Sequence, residues 1–154
     1  ALEHVLNRLI RRGQDFALMQ IDLDYFKTVN DTMGHAAGDR VLQEVARVLV
    51  EETRDGDTVA RIGGDEFVIV LVEPGARENL DRSASRIITR IERPVRVEGG
   101  VARISASAGS ARAAAYETPE AERMLADADA ALYGAKLGGR GRHRLAAASG
   151  DTTP

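Results

Sequence analysis

The sequence predicts an α/β (α+β) domain: a mixed, largely antiparallel central sheet covered by helices on at least one face. Three observations carry this. Apolar, β-branched runs flank two glycine pairs, Gly63-Gly64 and Gly99-Gly100, the pattern of two hairpins. Three segments repeat apolar residues at helical spacing. A further apolar run, Phe16–Asp24, stands between helical segments.

In chain order, Leu2, Val5, Leu6, Leu9 and Ile10 recur at helical spacing and Gly13 ends the pattern. FALMQIDLD, residues 16–24, reads as a buried strand. A short helix over residues 25–32 follows, then a glycine-containing loop over 34–39. Val41, Leu42, Val45, Ala46, Val48 and Leu49 mark an amphipathic helix. Asp55-Gly56-Asp57 is a turn signal. Residues 58–62 and 67–72 form the first hairpin. Leu80, Ala84, Ile87, Ile88 and Ile91 mark another helix, closed by Pro94. Residues 95–97 and 101–107 form the second hairpin. Thr118-Pro119 with Glu120 and Glu122 opens the last helix as cap, first-turn proline and dipole-matched acids. Gly138-Gly139 ends it. The order is α-β-α-α-β-β-α-β-β-α-β.

The 154 residues fit one domain, spanning 1–145, with a small, polar, disordered tail over 146–154. Apolar residues make up 44% and charged residues 29%, the balance of a soluble globular protein. A net charge of -3 disfavours non-specific nucleic-acid binding. No apolar run is long enough for membrane contact, and no targeting segment opens the chain. The absence of cysteine excludes thiol chemistry and any need for an oxidising compartment, so a cytoplasmic location is expected.

The chemistry lies in acids placed where strands should carry core residues. Alternation along residues 16–24 points Asp22 and Asp24 one way and Leu23 into the core. Asp65 and Glu66 follow the Gly63-Gly64 turn at the head of another strand. If those strands are neighbours, three or four carboxylates meet at one sheet edge. Two unit charges ~4 Å apart repel by roughly 4 kcal/mol at an effective dielectric of 20. Protonation or a hard divalent cation offsets that; carboxylates plus the Leu23 carbonyl are oxygen ligands of the kind Mg²⁺ or Mn²⁺ takes. Taken singly, Asp-x-Asp is often a solvated loop start and Gly-Gly-Asp a hairpin turn; the two motifs together favour a site.

Residues 63–67 read GGDEF, and this signature, with DLDYFKTVNDTMGHAAGD (22–39), RDGDTVARIGGDEF (54–67), SASAG (105–109) and ADAALYGAKLGGRGR (128–142), resembles the diguanylate cyclase (GGDEF) family from about Phe16 to Arg144. The resemblance implies a fold similar to nucleotide cyclase and polymerase palm domains. It also implies condensation of two GTP into cyclic di-GMP with release of pyrophosphate, each 3′-hydroxyl attacking the other nucleotide's α-phosphorus. The usual N-terminal opening, D-x-LTGLxNR, is missing; the chain begins just after it.

By this resemblance Asp22, the Leu23 carbonyl and Asp65 hold Mg²⁺ or Mn²⁺, with Glu66 beside them as a further ligand. Asp65 is the candidate to activate the hydroxyl, and Glu66 and Lys27 complete the catalytic set, Lys27 stabilising phosphate charge. Without that context Lys27 reads as a solvated surface lysine. The substrate-binding set is Asn30, Asp39, Phe26, His35, Gly63, Gly64, Lys136 and Arg140. The amides of Tyr25, Phe26 and Lys27 face phosphate at a helix start, and the glycine pair lets substrate approach the backbone. Asn30 and Asp39 read guanine, since a carboxylate accepts from its N1-H and 2-amino group and adenine offers neither donor. Asp39 is also placed to cap the next helix, and His35 to make a loop hydrogen bond. Lys136 and Arg140 grip the triphosphate, or, read as plain sequence, complement the helix dipole.

Arg54 and Asp57 form RxxD, five residues before GGDEF, which in the family marks an inhibitory product site for cyclic di-GMP; Arg86 or Arg90 would supply its second arginine. Each protomer holds one GTP, so catalysis requires a homodimer. The alternative is a catalytically silent module that binds GTP or cyclic di-GMP and controls a linked phosphodiesterase or partner; retention of all five GGDEF letters favours the enzyme. A cyclase of different product specificity is a third option.

Overall fold

A computed structural model describes residues 1–147. Five strands form the main sheet: β1 (Phe16–Asp24), β2 (Thr58–Arg61), β3 (Glu66–Val72), β6 (Ser105–Arg112) and β7 (His143–Leu145), in the order β2-β3-β1-β6-β7. The pairings are antiparallel except β6 with β7, which is parallel. The sheet is therefore mixed and largely antiparallel, as the two hairpin signals predict. A separate two-stranded ribbon joins β4 (Val95–Val97) to β5 (Gly100–Ala102).

Helices cover both faces. Odd-numbered residues of β1, from Ala17 to Leu23, pack with α2 (Phe26–Met33), α3 (His35–Glu51) and α4 (Arg77–Ile91). Phe16 and Leu18 pack on the other face with Leu6 of α1 (Leu2–Arg11) and with Met124 and Ala128 of α5 (Ala121–Leu137). The period of two along β1 thus feeds two cores from one strand. It also sends Asp22 and Asp24 to the α5 face, where apolar residues give way to charge.

Gly109 of β6 lets α5 lie close. A Cβ there would stand 2.2 Å from the Leu132 nitrogen and 2.3 Å from the Ala128 oxygen. Only glycine permits this approach, and it fixes the height of Lys136 above the strand ends.

Several expectations need correction. Residues 34–39 are not a loop: Gly34, at φ 91°, alone breaks the chain between α2 and α3, and the helix begins at His35. Asp39 is therefore in the second turn of α3 and does not cap it, and His35 stands at a helix start. The expected strand over 101–107 is two strands in different sheets, split at Arg103-Ile104, because Ala102 closes the ribbon while Ser105 joins β1. Thr118 does not cap α5; Glu120 holds the cap position without a side-chain bond. Ala146 is held, donating its amide to the Ser110 carbonyl at 2.7 Å. The remainder of the tail expectation, 148–154, lies outside the described residues. Among the described residues no helix is long and apolar enough to cross a membrane.

Candidate active site

The site forms where β1 ends beside the β2–β3 turn. Asp22 lies directly opposite Glu66 on one side and Ser107 on the other. Beyond that register Leu23 donates its amide to the Asp65 carbonyl at 3.1 Å. The reciprocal bond, from the Asp65 amide to the Leu23 carbonyl, does not form among the described residues. The Leu23 carbonyl thus stays available between two carboxylates.

Burial raises the Asp65 carboxyl above its ordinary range, and the neighbouring charge of Asp22 raises it further, against opposing contributions from its own amide, Lys136 and Arg61. The charge of Asp22 thus acts on Asp65, but the three or four carboxylates expected at this sheet edge do not come together among the described residues. Arg61 was not anticipated: its Nε and Nη2 donate to the carbonyls of Gly63 (3.0 Å) and Gly64 (2.8 Å), pinning the glycine turn. Glu66 folds back toward that turn, its Oε2 3.4 Å from where a Gly63 Cβ would be. Among the described residues no three acidic or histidine side chains form a metal cluster. The donors that converge are the Asp22 and Asp65 carboxylates and the Leu23 carbonyl. This all-oxygen set is of the kind a hard divalent ion takes.

Two cations reach the strand end from α5 and the loop after it. The Lys136 ammonium donates to Asp22, and Arg140 Nη1 donates to Asp24 at 3.1 Å. Beside Asp22 a cavity of about 140 Å³ is lined by Glu66, Ile62, Asp129, Tyr133 and Lys136. Asp129 and Tyr133 escaped the sequence reading. Their helical spacing with Lys136 was the available signal.

On the other side of the strand end, Tyr25 takes a left-handed conformation (φ 70°) and turns the chain into α2. Lys27 is 91% exposed and 3.8 Å from Asp31, so among the described residues nothing fixes it on the acids at the strand end. Asn30 packs on α3: a Cβ on Gly38 would stand 1.9 Å from Asn30 Oδ1 and 3.4 Å from the Phe26 ring. This closeness brings Asn30 and Phe26 to the helical turn that carries Asp39, which is exposed, as is His35.

Arg54 and Asp57 sit remote from these groups, in a cleft of about 330 Å³ that Glu52, Asn79 and Arg86 also line. Asp57 is a staple: its side chain is 2% exposed, accepting from the amides of Arg54 at 2.8 Å and Val72 at 2.9 Å. Arg54 donates to the Val72 and Glu73 carbonyls. Arg86 binds Glu52 at 2.8 Å, and Arg90 pairs with Glu51 and Glu52 without lining the cleft.

A family model described as diguanylate cyclase, GGDEF domain, matches residues 1–142. Diguanylate cyclase DosC of Escherichia coli is 41% identical over 141 residues, covering 90% of this chain and 30% of its own length. The chain therefore spans less than a third of that relative. The solved GGDEF domain of TpbB from Pseudomonas aeruginosa superposes with a TM-score of 0.85 at 36% identity, over 94% of this chain and 84% of that one. The GGDEF domain of DgcB from Caulobacter crescentus, solved in complex with c-di-GMP, superposes at 0.84 with 29% identity, over 94% and 85%.

Proposed function

We propose, for a chain that belongs to the diguanylate cyclase GGDEF-domain family, that two protomers condense two GTP molecules into cyclic di-GMP and two pyrophosphates. The observation that carries this is the convergence of Asp22, Asp65 and the Leu23 carbonyl at one strand end, with the Asp65 carboxyl raised by burial and by Asp22. Asp65 is the carboxylate placed to take the proton of the attacking 3′-hydroxyl. The hydroxyl oxygen forms a bond to the α-phosphorus of the facing nucleotide, the bond from that phosphorus to the bridging oxygen breaks, and pyrophosphate leaves. Repetition in the other direction closes the ring.

Mg²⁺ or Mn²⁺, held by Asp22, Leu23 and Asp65 with Glu66 nearby, would supply charge neutralisation for hydroxyl and phosphate. Phosphoryl transfer asks the protein chiefly for positioning and electrostatics. Lys136 and Arg140 are the phosphate cations, with Lys27 joining on substrate binding. Asn30 and Asp39, with Phe26 and His35 on the same α2–α3 corner, read guanine. The Gly63-Gly64 turn admits the nucleotide to the backbone. Each chain carries one such site, so the reaction requires a homodimer in the cytoplasm, where GTP is at hand. Product inhibition is assigned to the cleft of Arg54, Asp57 and Arg86; the complex of DgcB with c-di-GMP supports a product-binding role for such domains.

Incubation with GTP and Mg²⁺ across a hundredfold range of protein concentration, followed by chromatography, tests the proposal. Cyclic di-GMP should form with specific activity that climbs with concentration, and Asp65→Asn should abolish it. GTP binding without product at any concentration would make the chain a regulatory module instead.

A further inference from the structure

We propose that Asp24 is a positioning residue whose buried carboxylate anchors Arg140, so that the remaining guanidinium donors meet the polyphosphate of the substrate; this rests on the nucleotide site proposed above. The two acids of Asp-Leu-Asp point to one face yet meet different surroundings. Asp22 borders the cavity. Asp24 is 2% exposed, and both its oxygens are occupied. Its Oδ1 accepts from Arg140 Nη1 at 3.1 Å; its Oδ2 accepts from the Ser107 hydroxyl at 2.7 Å and from the Gly141 amide at 3.3 Å. A carboxylate so enclosed is spent on the protein and is no ligand for an ion at the strand end.

What it holds is unusual backbone. Gly139, Arg140 and Gly141 have φ of 121°, 64° and 59°, three successive residues with positive φ. For an arginine this left-handed conformation is strained. The Arg140 amide closes the end of α5 on the Ala135 carbonyl at 3.1 Å, and Asp24 grips the segment from its other side through the Arg140 side chain and the Gly141 amide. One carboxylate thereby fixes the backbone and the guanidinium together.

The guanidinium is held by one corner. Among the described residues Nη1 is its only bonded nitrogen, and the side chain is 47% exposed. Nε and Nη2 remain, the kind of donor pair that meets phosphate oxygens side by side. Lys136, one turn earlier, stands over Asp22. Arg142 and Arg144 follow within four residues, yet neither bonds a carboxylate among the described residues. The anchor therefore singles out Arg140 from a run of cations.

Calorimetric titration with Mg²⁺ and two probes tests this: 3′-deoxy-GTP, which lacks the nucleophile and cannot turn over, and inorganic tripolyphosphate. Asp24→Asn and Arg140→Ala should each weaken both probes about tenfold, the loss of one charge-assisted contact. The double variant should bind no more weakly than Arg140→Ala alone. Asp24→Asn that binds like the wild type, or losses that multiply in the double variant, would overturn the inference. If Asp24→Asn does not fold, Ser107→Ala replaces it, with a smaller loss that vanishes in the Arg140→Ala background; multiplying losses again overturn it. Tripolyphosphate binding with the coupling intact, but no 3′-deoxy-GTP binding, leaves the anchor standing and removes the GTP reading. A wild type that binds neither probe overturns both.

Discussion

Asp65 stands beside Asp22 with its carboxyl raised above the ordinary range, first by burial and then by the charge of Asp22. An acid raised in the folded state favours the proton there, so its ionisation opposes folding. The penalty is fully present above the folded pKa and disappears below the unfolded one. Asp65→Asn should therefore raise the melting temperature of metal-free protein at neutral pH, an effect that fades as the pH falls below the ordinary carboxylate range. The same change should abolish cyclic di-GMP formation. A stabilised variant that retains activity would remove Asp65 from the reaction.

That relationship was legible in the sequence because it rests on backbone rules. Period-two alternation placed Asp22 and Leu23 on opposite faces, and the glycine turn placed Asp65 at a strand head. What stayed hidden depends on contacts across the chain. Asp22 and Asp24 look alike in the sequence, and only the approach of residues 107 and 140–141 separates a cavity acid from a buried anchor. Arg61 reads as an ordinary strand arginine until its guanidinium folds over the two glycine carbonyls. The 34–39 segment was misjudged because His-Ala-Ala-Gly-Asp holds two helix-tolerant alanines and a glycine whose reason lies elsewhere, in the Asn30 side chain packed on it.

Gly38 and Gly109 make a matched pair of probes. At Gly38 the obstruction is the Asn30 side-chain amide, which can swing away. Gly38→Ala also gains roughly 1 kcal/mol of helix propensity. Its stability should hold within ~1 kcal/mol while GTP affinity falls about tenfold, the size of one base contact. At Gly109 the obstruction is the α5 backbone. Gly109→Ala should cost ~3 kcal/mol or more, since a helix has to move. Denaturation and GTP titration of both variants check this; unchanged GTP affinity in Gly38→Ala would take Asn30 out of the base site.

His143 bridges elements away from the site. Its Nδ1 lies 2.7 Å from Asp81 of α4 and its Nε2 2.7 Å from the Ser110 hydroxyl, and its side chain is 3% exposed. Burial lowers its pKa, and Asp81 opposes that only in part. The neutral ring fits both contacts, Nδ1 donating and Nε2 accepting. A lowered value means the unfolded chain binds the proton first, so stability falls as pH drops below about 6.5, the ordinary histidine value. Melting temperature should decline from pH 7 to 5.5, and His143→Gln should flatten that decline while lowering the plateau. An equally steep decline in the variant would assign the effect to other groups.

Arg54 and Asp57 should separate inhibition from stability. Asp57 gives its oxygens to the amides of Arg54 and Val72; Asp57→Ala leaves both without partners and should cost ~2–3 kcal/mol. Arg54 is largely exposed at the mouth of the cleft and braces two carbonyls that water can also serve. Arg54→Ala should cost under ~1 kcal/mol yet raise the concentration of cyclic di-GMP needed for half-inhibition by about tenfold, the loss of one bidentate contact. Inhibition curves for wild type and Arg54→Ala, taken beside their melting curves, read the two effects apart. Superimposable inhibition curves would mean that the product acts elsewhere and that RxxD in this chain is only the staple that joins the end of α3 to β3.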